Sequence, residues 1–432
     1  MKNRLKYYFG LTVGLLTPTV LLLWILVRII TLHSQQAYRY LNELLFEAFM
    51  RTFLLIFGYM GVEKVCVYGD VDFMKKKNDR VLFISNHLST VDWFICSMLI
   101  AHQGSLGRTR FVLHKNLKYI PIFGFYLSQD SCLFVDRLNF DVKTAVNVLS
   151  NIKQLQSNTW MVIYPEGTRY NPLKHDVIKQ SQEFAVKKCM SKYVRNEAGI
   201  KPFKRVLVPR KRGFQLILDH MHDCLDAVYD VTTVFADENG YPYDHNIPAP
   251  GLTEWLKKPR SLHIYLKRIP IKHVPHDKDT ISQWLYERFR IKDDFIENVQ
   301  STFYSSSQLS EDRNNFFQSS NHIDYMDIKS ESLSNNNNNN HDHNTVNIDT
   351  PSLPNDFQTI QKHLLTCFTS QMSQSCLKLE NFRLIDLLPC ALLFYGITIY
   401  WMFGFGWFGL ATYFSVGLFG SIGGQIYMHF AI

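Results

Sequence analysis

The stretch Val81-Leu82-Phe83-Ile84-Ser85-Asn86-His87-Leu88-Ser89-Thr90-Val91-Asp92-Trp93-Phe94-Ile95 sets the reading of the whole chain. Val81 to Ile84 is a short apolar run of the kind that a sheet covered on both faces buries. Polar residues break it, Ser89 or Thr90 can cap a helix, and apolar residues resume at Trp93, Phe94 and Ile95. His87 then falls in a strand-to-helix turn and Asp92 in the first helical turn. Five residues apart, the two would not share a face of one continuous helix. With the break at the cap, the Asp92 carboxylate can fold back onto one ring nitrogen of His87. Such a bond sets the tautomer and leaves the other nitrogen to take a proton from an attacking hydroxyl. An alcohol needs that base because its own pKa is far above neutrality. A purely structural His-Asp pair is the competing reading, and spacing alone does not separate the two.

The same pattern of apolar run and polar turn recurs on the C-terminal side. Phe134-Val135-Asp136-Arg137 ends an apolar run. Arg137 there is either a two-pronged phosphate ligand or a surface cation paired with Asp136 or Asp141. Met161 to Tyr164 reads as a strand and leads into Pro165-Glu166-Gly167-Thr168-Arg169. Pro165 ends the ladder and Gly167 permits close approach of backbone to a ligand. Thr168 and Arg169 offer a hydroxyl and a guanidinium to phosphate. Glu166 can take a substrate hydroxyl or hold Arg169, and the alternative is an ordinary charged turn. Val206-Leu207-Val208 delivers Pro209-Arg210-Lys211-Arg212-Gly213, a set of cations suited to donor phosphates or an anionic headgroup, or simply a solvated loop. Leu207 to Pro209 and Ile264 to Leu266 read as further strand ends. These alternations predict an α/β domain over Val65–Ile296, with a mixed or parallel sheet flanked by helices.

The flanks differ in kind. Leu11 to Ile30 is apolar, follows Lys2, Arg4 and Lys6, and is long enough for a membrane helix. A cleaved signal peptide is the alternative, but the run is long for one and no small-x-small site follows. Leu44 to Met60 carries Glu47 and Arg51 and reads as an interfacial or hairpin helix. Residues 1–64 thus form a membrane-anchoring segment and 65–300 the catalytic domain. Residues 301–383, with an unbroken Asn335–Asn340 run, read as a largely disordered Ser/Asn-rich linker. Within 384–432, Ile385–Phe403 and Trp407–Met428 can each span, joined at Gly404-Phe405-Gly406, with Trp401 and Trp407 as interfacial anchors.

Over the 432 residues, charged side chains make up 19% and aromatics 14%. Soluble chains average about 25% charged residues, so the balance points to a membrane. The formal net charge of +8 suits an anionic surface or phosphorylated substrates. No basic run interleaved with aromatics supports a nucleic-acid partner. The eight cysteines form no Cys-x-x-Cys pair, so neither a disulfide framework nor a zinc site is expected. His341-Asp342-His343 lies in the polar tract and reads as solvated rather than metal-binding.

Taken in order, His87 with Asp92, the Phe-x-Asp-Arg block, Pro165 to Arg169 and the Pro209–Gly213 turn resemble the glycerolipid acyltransferase family, which contains the 1-acylglycerol-3-phosphate acyltransferases. The four blocks span Asn86 to Gly213, and chance agreement in all four is negligible. Tyr119 to Gly124, Pro165 to Pro172 and Asp226 to Thr232 look like the epsilon type of that family. Lysocardiolipin acyltransferases share the blocks. The resemblance implies a base at His87, oriented by Asp92, and acceptor contacts from Arg137 and Glu166 through Arg169. It implies acyl-CoA as donor substrate, lysophosphatidic acid or another lysophospholipid as acceptor, and no cofactor or metal. It also implies attachment to the bilayer of the endoplasmic reticulum, with the nuclear envelope and mitochondrial outer membrane as alternatives and the catalytic domain facing the cytosol. A membrane-shaping relative without catalysis is the remaining reading, and the intact His87 and Asp92 argue against it.

Overall fold

The structure, a computed structural model, describes residues 15–59, 61–70, 79–120, 123–129, 131–136, 141–155, 158–185, 202–278, 280–319, 377–378 and 384–431. Two helices open it, α1 (Thr17–Ile30) and α2 (Gln35–Phe53), the latter running on as a wider π turn over Leu54–Tyr59. The sheet is built from β1 (Val62–Gly69), β2 (Val81–Ser85), β3 (Thr109–His114), β4 (Leu133–Val135), β5 (Trp160–Ile163), β6 (Ala227–Ala236), β7 (Arg260–Pro270) and β8 (Leu377–Lys378). Between them lie α3 (Asp92–His102), α4 (Phe123–Gln129), α5 (Val142–Gln154), α6 (His175–Phe184), α7 (Lys211–Met221), α8 (Leu252–Lys257) and α9 (Thr280–Ser319). Helices α10 (Leu384–Gly404) and α11 (Gly406–Ala431) close the chain. The strand order is β4-β3-β5-β2-β6-β7-β1-β8. Every neighbouring pair is parallel except β6 with β7 and β1 with β8. The expected mixed sheet flanked by helices is what forms, and most of its strand pairs are parallel.

Alternation along the central strands sorts the core into two layers. Val81 and Phe83 of β2 join Trp160 and Val162 of β5 in one cluster, against Phe94, Ile95 and Leu99 of α3 and Phe46 and Phe49 of α2. Leu82, Ile84, Met161 and Ile163 point the other way, into Leu149 of α5, Phe214, Ile217, Leu218 and Met221 of α7 and Phe289 of α9. The two-residue period of a strand puts successive side chains on opposite faces, and here both faces are covered. That is why the strands read as continuous apolar runs.

Several expectations about local structure need correction. Leu207 to Pro209 is buried but is not a strand. Its two amides go elsewhere, Leu207 N–H to Glu166 Oε2 (2.9 Å) and Val208 N–H to Ser181 Oγ (2.8 Å), and the next amide, Arg210 N–H, bonds the Pro165 carbonyl (2.8 Å). Ile264 to Leu266 lies in the middle of β7 rather than at its end. Neither Ser89 nor Thr90 caps α3 through the first helical amides. Ser89 Oγ instead donates to the Pro250 carbonyl and Thr90 Oγ1 accepts from Leu252 N–H, so both tie the turn to the loop before α8. Helix α9 continues to Ser319, past the boundary expected near residue 300, and Leu377–Lys378 pairs antiparallel with β1. The rest of the expected linker lies outside the described residues.

The two hydrophobic ends of the chain meet. Leu387, Ala391 and Phe394 of α10 are buried, with Phe394 edge-on to Phe49 of α2 at 5.6 Å. Thr19 Oγ1 of α1 lies 2.7 Å from Thr398 Oγ1 of α10. Tyr413 of α11 donates to the Leu15 carbonyl. Outward, Leu392, Leu393, Ile399, Phe403, Trp407, Phe408, Phe414 and Phe419 are exposed. Among the described residues, Leu387–Gly404 is the stretch both long and apolar enough to cross a membrane. The N-terminal span expected over residues 11–30 is described only from Leu15, and α1 is a shorter apolar helix of 14 residues.

Beneath the sheet, Asp230 of β6 is ion-paired to Arg288 Nε (2.6 Å) and to the buried Lys292 ammonium of α9, which also donates to the Val231 carbonyl (2.6 Å). Removing one member of such a group strands a buried charge, which typically costs about 3–5 kcal/mol. Asp230→Ala should therefore lower the denaturation midpoint sharply in detergent micelles, whereas Asp223→Ala, at the exposed Lys153 pair, should leave it unchanged.

Candidate functional site

Strands β2 and β5 are parallel neighbours in the register Ile84 opposite Ile163. Their C-terminal ends therefore stop at one edge of the sheet, and the turns that follow face each other there. Open α/β sheets characteristically build their sites at this edge.

The first turn leaves β2 at Asn86, whose buried side-chain amide bonds the Thr233 carbonyl (2.9 Å) and N–H (2.8 Å) of β6. Those two bonds extend the ladder by one rung through a side chain. His87 comes next, and Asp92 is the first residue of α3. Asp92 Oδ2 receives His87 Nδ1 (2.7 Å), Leu88 N–H (2.7 Å) and Ser89 N–H (2.9 Å). Three donors converging on one oxygen hold the carboxylate in place. Because a carboxylate only accepts, Nδ1 carries the proton, and the lone pair of His87 lies on Nε2.

The third block grips the backbone of His87 from both sides. Glu166 Oε1 accepts His87 N–H (2.8 Å), and the His87 carbonyl accepts Tyr170 N–H (2.7 Å). Glu166 Oε2 accepts Leu207 N–H, so one carboxylate ties together the first, third and fourth blocks. Burial pushes its carboxyl well above the usual range, against the pull of those two amides. Gly167 has a φ of +69°, the left-handed conformation that glycine adopts without strain. Arg205 N–H and Val206 N–H, with Lys204 N–H, bond to Asp293 of α9, which steadies the segment leading to Leu207.

A cavity of about 1480 Å³ opens above these turns, with His87 in its wall. Phe46, Met50 and Phe53 of α2, Phe57, Trp93 and Phe111 are among its apolar lining residues. Arg169, Arg210, Lys211, Arg212 and Lys278 are its basic ones. Of the residues singled out from sequence, His87 and Asp92 are brought together, and Arg169, Arg210, Lys211, Gly167 and Gly213 line the cavity. Arg169 is exposed, while Arg210 stacks over Phe184 at 4.5 Å and Lys211 donates to the Lys278 carbonyl (3.0 Å). Glu166 faces backbone rather than the cavity, and Thr168 and buried Pro209 do not line it. Arg137 lies outside the described residues. Of the two acids beside it in sequence, Asp136 is ion-paired with Lys115 and Asp141 caps α5.

Sequence reasoning missed the face of α2. Phe46, Met50, Phe53 and Phe57 follow a three-to-four-residue period, the stripe of an amphipathic helix, which length and charge alone do not reveal. It also missed Tyr164, whose ring stacks on His87 at 4.5 Å and 25°. Among the described residues no group of three or more His, Cys, Asp or Glu side chains is placed to hold a metal ion.

Glu166→Gln replaces one accepting oxygen by a donor, which then faces the amide of His87 or of Leu207. A buried amide left unmatched costs about 1–3 kcal/mol. The variant should show a lower Tm together with a turnover rate reduced at least about tenfold, with little change in either substrate's KM; parallel thermal and kinetic assays check this.

Residues 64–233 match the acyltransferase family model, and residues 256–323 match the model for the acyltransferase C-terminus. The chain is similar to 1-acyl-sn-glycerol-3-phosphate acyltransferase epsilon of Mus musculus, with 35% identity over 280 residues, 64% of this chain and 73% of the relative. It is also similar to a probable 1-acyl-sn-glycerol-3-phosphate acyltransferase 5 of Arabidopsis thaliana (28% identity; 61% and 63% covered) and to the delta type of Homo sapiens (25%; 68% and 71%). With the ordered blocks gathered around one histidine and a relative of this identity matched over most of its length, the chain belongs to the acyltransferase family of enzymes.

Proposed function

We propose that the enzyme transfers an acyl group from acyl-CoA to the free hydroxyl of lysophosphatidic acid, giving phosphatidic acid and CoA. The observation that carries this reading is the His87 Nδ1–Asp92 Oδ2 bond of 2.7 Å in the wall of a cavity lined by both apolar and basic side chains. The names of the relatives give the acceptor class. In this reading Nε2 of His87 takes the acceptor proton as the hydroxyl oxygen attacks the thioester carbonyl. The carbon–sulfur bond then breaks, and the imidazolium returns its proton to the departing thiolate. No acyl-enzyme and no cofactor enter this sequence.

The apolar lining from α2 and Trp93 suits the acyl chain. Arg169 suits the acceptor phosphate, since its guanidinium is exposed in the cavity. Arg210, Lys211 and Arg212 then fall to the donor phosphates or a headgroup. The exposed apolar faces of α10 and α11, packed on α1 and α2, suit immersion in a bilayer, the endoplasmic reticulum membrane being the expected one. A cytosolic position for the catalytic domain follows from where acyl-CoA is made.

Purified enzyme in micelles, supplied with labelled oleoyl-CoA and a panel of lysolipids, should acylate lysophosphatidic acid in preference to lysocardiolipin; the reverse order would overturn the acceptor assignment. His87→Ala should lose roughly a hundredfold to ten-thousandfold in rate while remaining folded. Arg169→Ala should lower kcat/KM for the acceptor about tenfold to a hundredfold, mainly through KM, and leave the acyl-CoA KM little changed. An unchanged acceptor KM with a lowered Tm would make Arg169 a scaffold residue.

A further inference from the structure

We propose that Tyr164 is a positioning residue for His87: its ring holds the imidazole in one orientation and stabilises the imidazolium that forms during transfer. The proposal rests on the reading of His87 as the base. Tyr164 is the residue after β5, and the parallel register of β2 and β5 brings it beside the turn that follows β2. Its ring centroid lies 4.5 Å from that of His87 with the planes 25° apart, a face-to-face stack rather than an edge contact.

The Nδ1–Asp92 bond and the covalent link to a backbone held on both sides leave the imidazole a small tilt between those two anchors. A flat ring against one face limits that tilt, so Nε2 keeps its aim into the cavity. The stack also places the electron-rich face of a phenol against a ring that becomes positive as it takes the proton. An aromatic face attracts such a cation. Behind Tyr164 lies the Cys96 thiol of α3, itself bonded to the Trp93 carbonyl (3.0 Å), and burial pushes the phenol well above its ordinary range. The stacking partner is therefore the neutral ring. Of the other charged groups around His87, Asp92 bonds Nδ1, Glu166 bonds the backbone amide and Arg169 lines the same cavity.

The full-length enzyme is assayed with acyl-CoA and lysophosphatidic acid across pH, as Tyr164→Leu, Tyr164→Phe and His87→Ala. Leucine fills the space without a π face. It should lower kcat by roughly 2- to 30-fold, the range of an aromatic–cation contact. With the face that supports the positive ring gone, the acid limb of the kcat/KM profile should move to lower pH. Tyr164→Phe keeps the face and should recover most of the lost rate and the original limb. An acid limb that stays in place in Tyr164→Leu, with or without a lower Tm, overturns the proposal. So does equal damage from leucine and phenylalanine, which would make the hydroxyl the working group. Activity surviving in His87→Ala would instead overturn the base assignment itself, and this proposal with it; an inactive His87→Ala beside an unmoved Tyr164→Leu profile would overturn this proposal alone.

Discussion

The parallel pairing of β2 with β5 is the constraint on which the site depends. Because the two strands run the same way, the turn carrying His87 and the turn carrying Glu166 leave the sheet at the same edge, although 79 residues separate them. An antiparallel pairing would have put them at opposite edges. The register, Ile84 opposite Ile163, then decides which residues meet. A slip of one residue would also exchange the two faces of β5, sending Trp160 and Val162 into the layer that holds Leu82 and Ile84. Core packing and site geometry are therefore set by the same alignment.

Glu166 turns that alignment into a fixed constellation. Charged residues are seldom fully buried without partners. Here each carboxylate oxygen takes one backbone amide, from His87 and from Leu207. The segment carrying Leu207 is held in turn by Asp293 of α9. A polar chain thus runs from the C-terminal helix of the domain to the peptide of the candidate base, and every link is directional. Apolar packing alone, being non-directional, could not hold a ring nitrogen to within a fraction of an ångström.

The helices at the two ends of the chain add the second element. Helix α2 offers one side to α10, through Phe49 and Phe394, and another to the cavity, through Phe46, Met50 and Phe53. One helix therefore serves both as part of the apolar cluster that joins the chain ends and as a wall of the site. Ligand cavities are lined mostly by apolar side chains, and here such a wall already exists.

Much of this was legible from sequence. The runs Val81–Ile84 and Met161–Ile163 identify buried strands because a sheet covered on both faces needs apolar side chains in both directions. His87 and Asp92 are legible as a pair because the polar break between them is local. The ordered blocks identify the family for the same reason, since each is a short turn whose chemistry is written in consecutive residues. Sequence did not reveal that Glu166 would spend both oxygens on backbone, because its partners lie 79 and 41 positions away. Nor did it reveal that Leu207 to Pro209, as apolar as a strand, would have its two amides taken by Glu166 and Ser181. It left Tyr164 as a strand-end aromatic, and the stack on His87 exists only through the β2–β5 register. Local chemistry and periodicity are properties of neighbours along the chain, and sequence by itself determined them. Which donor meets which acceptor across the sheet depends on strand direction and register, and only the tertiary structure decided that.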